Sequence, residues 1–194
     1  MRTAFPILIA MTAFPALGAY LDYDEVASGD LSSNPSLPSL LATSLGSNFI
    51  TASVDRRDKD YFTLTIPAGC FLESIFLRQS DGSEATFLSL QAGSTFTEPA
   101  ESADFRNLLG YASFFGSDVG RDLLPSLGSA AEAIGFKGPL GEQLYTFWVD
   151  QSSPAPTAYK LEFVIAEDVP GPGSLVTAIA ATCLMIPWSR RAKR

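Results

Sequence analysis

Three aspartates on one short segment are the side chains whose type and spacing most suggest chemistry. Asp55, Asp58 and Asp60 are interleaved with three cationic residues. Calcium is bound by hard oxygen ligands, so three carboxylates on one loop could begin a calcium site. The spacing differs from that of an EF-hand loop, and the interleaved cations weaken the negative field. Two interpretations therefore stay open: a calcium site at these aspartates, or a charged turn exposed to solvent.

A second acidic group lies closer to the N-terminus, where Asp22, Asp24, Glu25 and Asp30 follow one another closely. These side chains could supply oxygen ligands to a metal ion, or they could belong to a solvated acidic segment. Apart from calcium, the residues indicate no cofactor.

Composition excludes several kinds of catalysis. The chain has no histidine, which removes Ser-His-Asp and Cys-His nucleophiles and the usual zinc sites. Cys183 lies in an apolar tail, so we expect Cys70 to be a lone thiol, either inert and half-buried or reactive. A glycosidase needs two carboxylates facing each other across a substrate, and the sequence pairs none. We therefore expect a protein that is not an enzyme, with a hydrolase as the remotest alternative.

The composition fits one folded and strongly acidic domain. The chain of 194 residues is 18% charged and contains 14 phenylalanines, which favours a packed core over disorder. All 21 carboxylates lie between Asp22 and Asp168, whereas only eight cations lie between Arg56 and Lys160, so this body carries a net charge near −13. Such a body repels phosphate backbones, and nucleic acid is not expected as a partner.

The N-terminus has the three parts of a secretory signal peptide. Arg2 precedes the apolar run of residues 4–14, and small residues allow cleavage after Gly18 or Ala19. The run is shorter than the roughly 20 apolar residues that a membrane span needs. We therefore assign residues 1–19 to a signal helix that signal peptidase removes.

The C-terminus carries a second hydrophobic segment. A Pro-Gly break at 169–173 leads into 15 uncharged and mostly apolar residues, 174–188, and four cations follow. As a helix these residues would span about 22 Å, whereas the hydrocarbon core of a bilayer is about 30 Å thick. Residues 169–194 are thus either a short hydrophobic anchor helix or a sorting tail that is later cut off, and we favour the tail.

The order of Pro-x-Pro, short apolar helix and Arg-rich end resembles the PEP-CTERM sorting signal of bacterial surface proteins. Gly171 stands where that family usually has the glutamate of Val-Pro-Glu-Pro. The resemblance implies a Gram-negative-type host and an exosortase-like membrane protease as a partner. It also implies transient anchoring in the inner membrane, followed by release to the cell surface or extracellular matrix. The residues of this signal are Val169, Pro170, Gly171, Pro172, Arg190, Arg191, Lys193 and Arg194.

Between the two ends, the sequence predicts strands separated by turns. Phe62, Leu64 and Ile66 alternate with polar residues and share one face of a strand. The strands predicted in this way are 49–54, 60–66, 71–78, 85–91, 144–150 and 159–166. The last two are expected to form a hairpin, because the segment between them is turn-like.

This pattern predicts an all-β fold, an antiparallel β-sandwich of jelly-roll or Ig-like type, over residues 49–168. Residues 20–48 are expected to form an extended leader. The stretch 99–141 departs from the strand pattern, and we expect a strand pair plus an ordered loop that covers one end of the sandwich; the alternative is an insertion that carries specificity. Within it we expect a short helix around 129–134.

Two aromatic residues of the strand 144–150 bear on binding. Tyr145 and Trp148 lie three positions apart, so they point to opposite faces of a regular strand. An exposed ring could stack on the sugars of a glycan, whereas the favoured interpretation for Trp148 is core packing.

The body adds to the resemblance. The segments 29–32 and 60–69 resemble a recurrent region of PEP-CTERM proteins, and they are similar to pre-peptidase C-terminal domains, which are small secreted β-sandwiches. The resemblance implies a fold and a location rather than a reaction. We therefore expect a secreted, non-enzymatic protein of the cell surface or extracellular matrix. The alternative is a carbohydrate-binding or adhesive module that faces exopolysaccharide.

Overall fold

The computed structural model describes residues 20–98 and 103–169, and in this part of the chain nine strands form two sheets. The strands are β1 (Asp22–Asp24), β2 (Ser39–Ala42), β3 (Gly46–Val54), β4 (Asp60–Thr65), β5 (Cys70–Ser80), β6 (Thr86–Ala92), β7 (Gly110–Phe114), β8 (Leu144–Gln151) and β9 (Thr157–Glu167). The helices are α1 (Glu25–Ser28) and α2 (Leu124–Gly128), and the 3-10 turns are Phe105–Asn107 and Gly116–Asp118.

The two sheets stack face to face. The first sheet has the order β1-β3-β9-β5, and the second has the order β2-β4-β8-β6-β7. Neighbouring strands are antiparallel except at two edges, since β1 lies parallel to β3 and β2 lies parallel to β4. One apolar cluster with members from both sheets fills the space between them. The fold is therefore an all-β sandwich, as the sequence predicts.

Alternating side chains build this core. Along β3, every second residue from Asn48 to Val54 is buried. Phe163 of β9 packs edge-on against Phe147 of β8, with ring centroids 5.3 Å apart, and against Phe62 of β4 at 6.0 Å. Aromatic pairs of this kind stabilise a fold by about 0.5–1.5 kcal/mol beyond the area they bury. These rings join the first sheet to the second.

The outer face of the second sheet is covered as well. Phe96 and Leu108, from the connection between β6 and β7, form a second apolar cluster with Tyr61 and Trp148. Trp148 is 3% exposed in this cluster, whereas Tyr145 of the same strand lies in the main core. The two aromatic residues therefore point to opposite faces, and Trp148 is packed rather than exposed, as expected.

The hairpin expected at 144–150 and 159–166 does not form, because β8 and β9 belong to different sheets. β8 pairs with β4 and β6, whereas β9 pairs with β3 and β5. The connection 152–156 therefore crosses from one sheet to the other. An alternating pattern reveals that a strand has a buried face, but it does not reveal which sheet the strand joins.

Residues 20–48, expected as a leader ahead of the domain, contribute one strand to each sheet. β1 extends the first sheet and β2 extends the second, so the sandwich begins at Asp22 rather than at Phe49. Between these strands, the Tyr61 N–H donates to the Ser32 carbonyl at 2.8 Å. Strands of three or four residues are too short to produce a periodic pattern.

The short helix expected around 129–134 lies earlier in the chain. It is α2, and Pro125 stands in its first turn. Proline is well tolerated there, because the first N–H groups of a helix have no intrahelical partner. Leu124 and Leu127 bury their side chains and contribute to the main core. Packing of these two leucines into the core determines the position of the helix, which the local sequence pattern alone does not indicate.

The two hydrophobic ends of the chain fall almost entirely outside the residues that the structure describes. The signal peptide, residues 1–19, and residues 170–194 of the tail both lie outside the described residues. Val169, which directly follows the end of the sandwich, is 70% exposed. None of the helices within 20–98 and 103–169 combines the length and apolar character that a membrane crossing requires.

We expect Gly110→Ala to destabilise the sandwich. A Cβ at this position on β7 would lie 2.2 Å from the Leu127 carbonyl oxygen, so strand and helix would have to separate. Overpacking of this kind costs about 1–3 kcal/mol of unfolding free energy, measurable by chemical denaturation. Gly141→Ala is the matched control, because a Cβ there meets nothing within 4 Å. Equal stabilities of the two variants would contradict the packing described.

Candidate functional site

Carboxylates from both acidic segments of the sequence meet at one end of the sandwich. Glu25, Asp30 and Asp60 each contribute an oxygen, and the three oxygens lie within 4.8 Å of one another. We call these three residues the acidic cluster. Glu25 is half-buried, Asp30 is exposed and Asp60 is fully buried.

Glu25 is held by backbone and side-chain donors on both of its oxygens. Oε2 accepts from the Ser53 N–H at 2.8 Å and from the Ser53 hydroxyl at 3.2 Å. Oε1 accepts from the Leu31 N–H at 3.2 Å. Asp24 caps α1 by accepting from the Val26 N–H, and the parallel pairing of β1 with β3 brings this helix beside Ser53. One glutamate therefore ties the N-terminal segment to β3.

Asp60 is the first residue of β4 and has no solvent exposure. Its Oδ2 accepts from the Tyr159 hydroxyl at 2.6 Å, and Tyr159 is itself fully buried on β9. This hydrogen bond connects the second sheet to the first. Oδ1 of Asp60 has no hydrogen-bond partner among the described residues. A buried oxygen in this state costs about 1–3 kcal/mol unless it finds a donor or a cation.

The charges around Asp60 oppose its ionisation. The pKa of Asp60 is raised to about 8, mainly by burial and also by the charges of Glu25, Asp58 and Asp30, while the Tyr159 hydrogen bond acts to lower it. Burial also raises the pKa of Glu25, with the neighbouring Asp30 acting in the same direction. The pKa of Asp58 is raised by burial and then by Asp30 and Asp55. Carboxylates this close require protons or a cation between them.

The structure separates the three aspartates that the sequence suggests as calcium ligands. Asp60 joins the acidic cluster, and Asp58 acts on it through its charge. Asp55 instead closes the turn, since its Oδ1 accepts from the N–H groups of Arg57 and Asp58 at 2.6 and 3.0 Å. It lines a surface cavity of about 400 Å³ together with Arg56, Arg57 and Pro154. The residues that complete the cluster, Glu25 and Asp30, come from the other acidic segment.

Cys70 shows no sign of an activated thiol. It is 8% exposed, and its sulfur lies 3.7 Å from the Ala68 carbonyl oxygen. Burial raises the pKa of the thiol, and the charges of Glu167 and Glu142 raise it further. Reactive cysteines need the opposite shift, because the thiolate is the nucleophile. Cys183 lies outside the described residues.

A second group of charged and aromatic side chains lies on the outer face of the first sheet. Glu162 of β9 stands opposite Phe49 of β3 on one side and Phe76 of β5 on the other. Arg78 pairs with Glu162 and lies 4.5 Å from the centroid of the Phe76 ring, while Lys160 lies 4.7 Å from that of Phe49. We call these five residues the aromatic-cation face.

The surroundings of Glu162 favour its ionised form. Its burial acts to raise the pKa, but hydrogen bonds from Ser47 and Arg78 and the charges of Arg78 and Lys160 lower it below the usual value. The carboxylate therefore balances one of the two cations, and the face offers both charged groups and ring surfaces.

Comparisons with known proteins give little further information. No protein-family profile matches the chain, and no curated protein matches it. Among solved structures, it is similar to a periplasmic lysozyme inhibitor of g-type lysozyme, PliG of Aeromonas hydrophila. The identity is 15% and the TM-score is 0.40, over 66% of this chain and 96% of the other. Similarity at this level does not carry function from one protein to another.

We expect the metal-free protein to lose stability as the pH rises from about 4 to about 8. Unfolded Asp60 ionises near 3.8, whereas the folded residue ionises near 8. Across this window the folded state holds one more proton, and each pH unit lowers the free energy of unfolding until that proton is lost. The raised pKa values of Glu25 and Asp58 act in the same direction. Denaturation curves recorded in EDTA at several pH values measure the slope.

Asp60→Asn supplies the control for this effect, because an amide at this position cannot titrate. We expect the slope of its unfolding free energy against pH to be smaller than that of the wild type, by an amount that corresponds to about one proton. An unchanged slope in Asp60→Asn would show that another group is responsible.

Proposed function

We propose that this protein is an exported, non-catalytic β-sandwich that acts by binding at the cell surface or in the extracellular matrix. The observation that carries the proposal is the extent of the folded body. The strands run from Asp22 to Glu167, and the buried residues of the main apolar cluster among the described residues come from Leu31 to Ile165. Both sheets are thus built from residues between the two segments read from the sequence as export signals, residues 1–19 and 169–194.

The arrangement of the acidic cluster supports binding rather than catalysis. Both oxygens of Glu25 accept hydrogen bonds from Leu31 and Ser53, and Asp60 is fully buried. A general acid or base must reach a substrate proton within hydrogen-bond distance. Carboxylates turned towards the chain itself suit a structural or ion-binding role.

In this proposal signal peptidase removes residues 1–19 during export. The tail then holds the protein in the inner membrane for a short time, and an exosortase-like protease releases it. The resemblance of the tail to PEP-CTERM signals supports this order of events, and the strongly acidic body suits a protein that stays soluble outside the cell.

Mass spectrometry of the mature protein from its native host tests the export proposal. We expect an N-terminus at Ala19 or Tyr20 and a C-terminus between Val169 and Ser174. Replacing Pro170 and Pro172 by alanine should leave the N-terminus unchanged and retain the tail, because the Pro-x-Pro break is the expected recognition element. A mature protein that still ends at Arg194 would contradict processing of the tail.

A second candidate function is carbohydrate binding, and the aromatic-cation face favours it. Phe49 and Phe76 flank Glu162 at one level of the sheet, one on each neighbouring strand. Sugar rings stack on aromatic faces, and Arg78 and Lys160 can donate hydrogen bonds to hydroxyl and carboxylate groups. An exopolysaccharide that contains acidic sugars matches both properties.

The carbohydrate hypothesis predicts a loss of affinity in Phe76→Ala and Phe49→Ala. We expect each variant to bind purified exopolysaccharide of the host at least about tenfold more weakly, which corresponds to about 1.4 kcal/mol. Phe105→Ala is the control, because Phe105 is an exposed phenylalanine beyond the other sheet, stacked on Tyr111. Equal binding by all three variants would remove this face as the binding surface.

A further inference from the structure

One carboxylate oxygen of the acidic cluster is buried without a hydrogen-bond partner among the described residues. Asp60 is fully buried, and its Oδ1 has no partner among the described residues, although Oδ2 is held by Tyr159. An oxygen of the same carboxylate group lies within 4.8 Å of oxygens from Glu25 and Asp30. A buried carboxylate is thus turned towards two others, and a positive ligand between them would stabilise all three.

The chemistry of the donors points to calcium. The three carboxylate oxygens lie within 4.8 Å of one another, close enough to bind one calcium ion at about 2.3–2.6 Å. Calcium takes six to eight oxygen ligands in flexible geometry, whereas magnesium demands near-ideal octahedral geometry and usually keeps several waters. Zinc prefers nitrogen and sulfur ligands, and this cluster consists of oxygen donors.

We propose that Glu25, Asp30 and Asp60 bind one calcium ion, which fastens the N-terminal segment to the end of the sandwich. Water and backbone oxygens would complete the six to eight ligands that calcium takes. Asp58, whose charge raises the pKa of Asp60, adds to the negative field without being one of the three ligands. Neighbouring hydrogen bonds hold two of the ligands in place, since Tyr159 fixes Asp60 and Ser53 fixes Glu25.

The ligands come from parts of the chain that are far apart. Glu25 belongs to α1 and Asp30 to the connection that leads to β2, whereas Asp60 begins β4. Bound calcium therefore links residues 22–30 to the second sheet, in addition to the pairing of β1 with the first. This inference goes beyond the proposed function, and it stands whether or not the tail is processed or a glycan is bound.

Calorimetric titration of the full chain in detergent with calcium chloride tests the proposal, after removal of metals with EDTA. We expect one binding site per chain, and a saturating concentration should raise the melting temperature by at least about 5 °C. Magnesium at the same concentration should have a much smaller effect. Absence of binding by the wild-type protein at millimolar calcium, or an equal effect of magnesium, would overturn the assignment.

Three variants locate the site. Asp60→Asn and Asp30→Asn should each weaken calcium binding at least about tenfold, whereas Asp55→Asn, which alters the turn outside the cluster, should bind as the wild type does. Asp30 is exposed, so Asp30→Asn keeps the test valid even if Asp60→Asn fails to fold. Unchanged affinity in Asp30→Asn would place the calcium elsewhere.

Limited proteolysis gives an independent measurement. Calcium should slow cleavage within residues 22–30 of the wild-type protein at least about tenfold, because local opening exposes this segment. The same protection in Asp30→Asn would contradict the proposed link.

Discussion

The hydrogen bond between Tyr159 and Asp60 joins the two sheets in a place where neither side chain reaches water. Tyr159 belongs to a central strand of the first sheet, and Asp60 begins β4 of the second. Because ionised Asp60 would be a buried charge among other carboxylates, the end of the sandwich depends on how that charge is neutralised. The N-terminal segment brings the carboxylates of Glu25 and Asp30 close to Asp60 and so adds negative charge at this end of the sandwich. The folded position of the N-terminal segment therefore also determines the electrostatics of the acidic cluster.

Much of the fold is accessible from the sequence because the long strands carry a clear alternation. Phe62 and Leu64 mark β4, and the turn after it is marked by proline and glycine. The sandwich class follows from such segments, and burial of Trp148 follows from its size and position. The strands β1 and β2 escape this reasoning, since three or four residues give no period, and the limits of β7 within the stretch 99–141 escape it as well. The parallel pairing of β1 and of β2 with their neighbours depends on tertiary contacts such as those of Glu25 with Ser53.

Only part of the candidate site can be predicted from the sequence, for a similar reason. Each acidic segment is visible in the sequence, but nothing local indicates that Asp60 meets Glu25 and Asp30 rather than Asp55. The two groups are brought together by the path of residues 22–42, which passes from one sheet to the other. The capping of α1 by Asp24 is the one local signal, because it explains why Glu25 is free to point towards β3. Crossing of the chain from β8 to β9 escapes prediction in the same way, since alternation does not identify a partner strand.

The position of β9 has a consequence for biosynthesis. β9 is the last strand among the described residues, yet it lies between β3 and β5 in the first sheet and supplies Tyr159 to the contact with Asp60. A nascent chain can therefore assemble neither the first sheet nor the inter-sheet bond until residue 167 is available. Its contact order is high, and such chains fold slowly. The sandwich can therefore close only after nearly all of its strands have been synthesised.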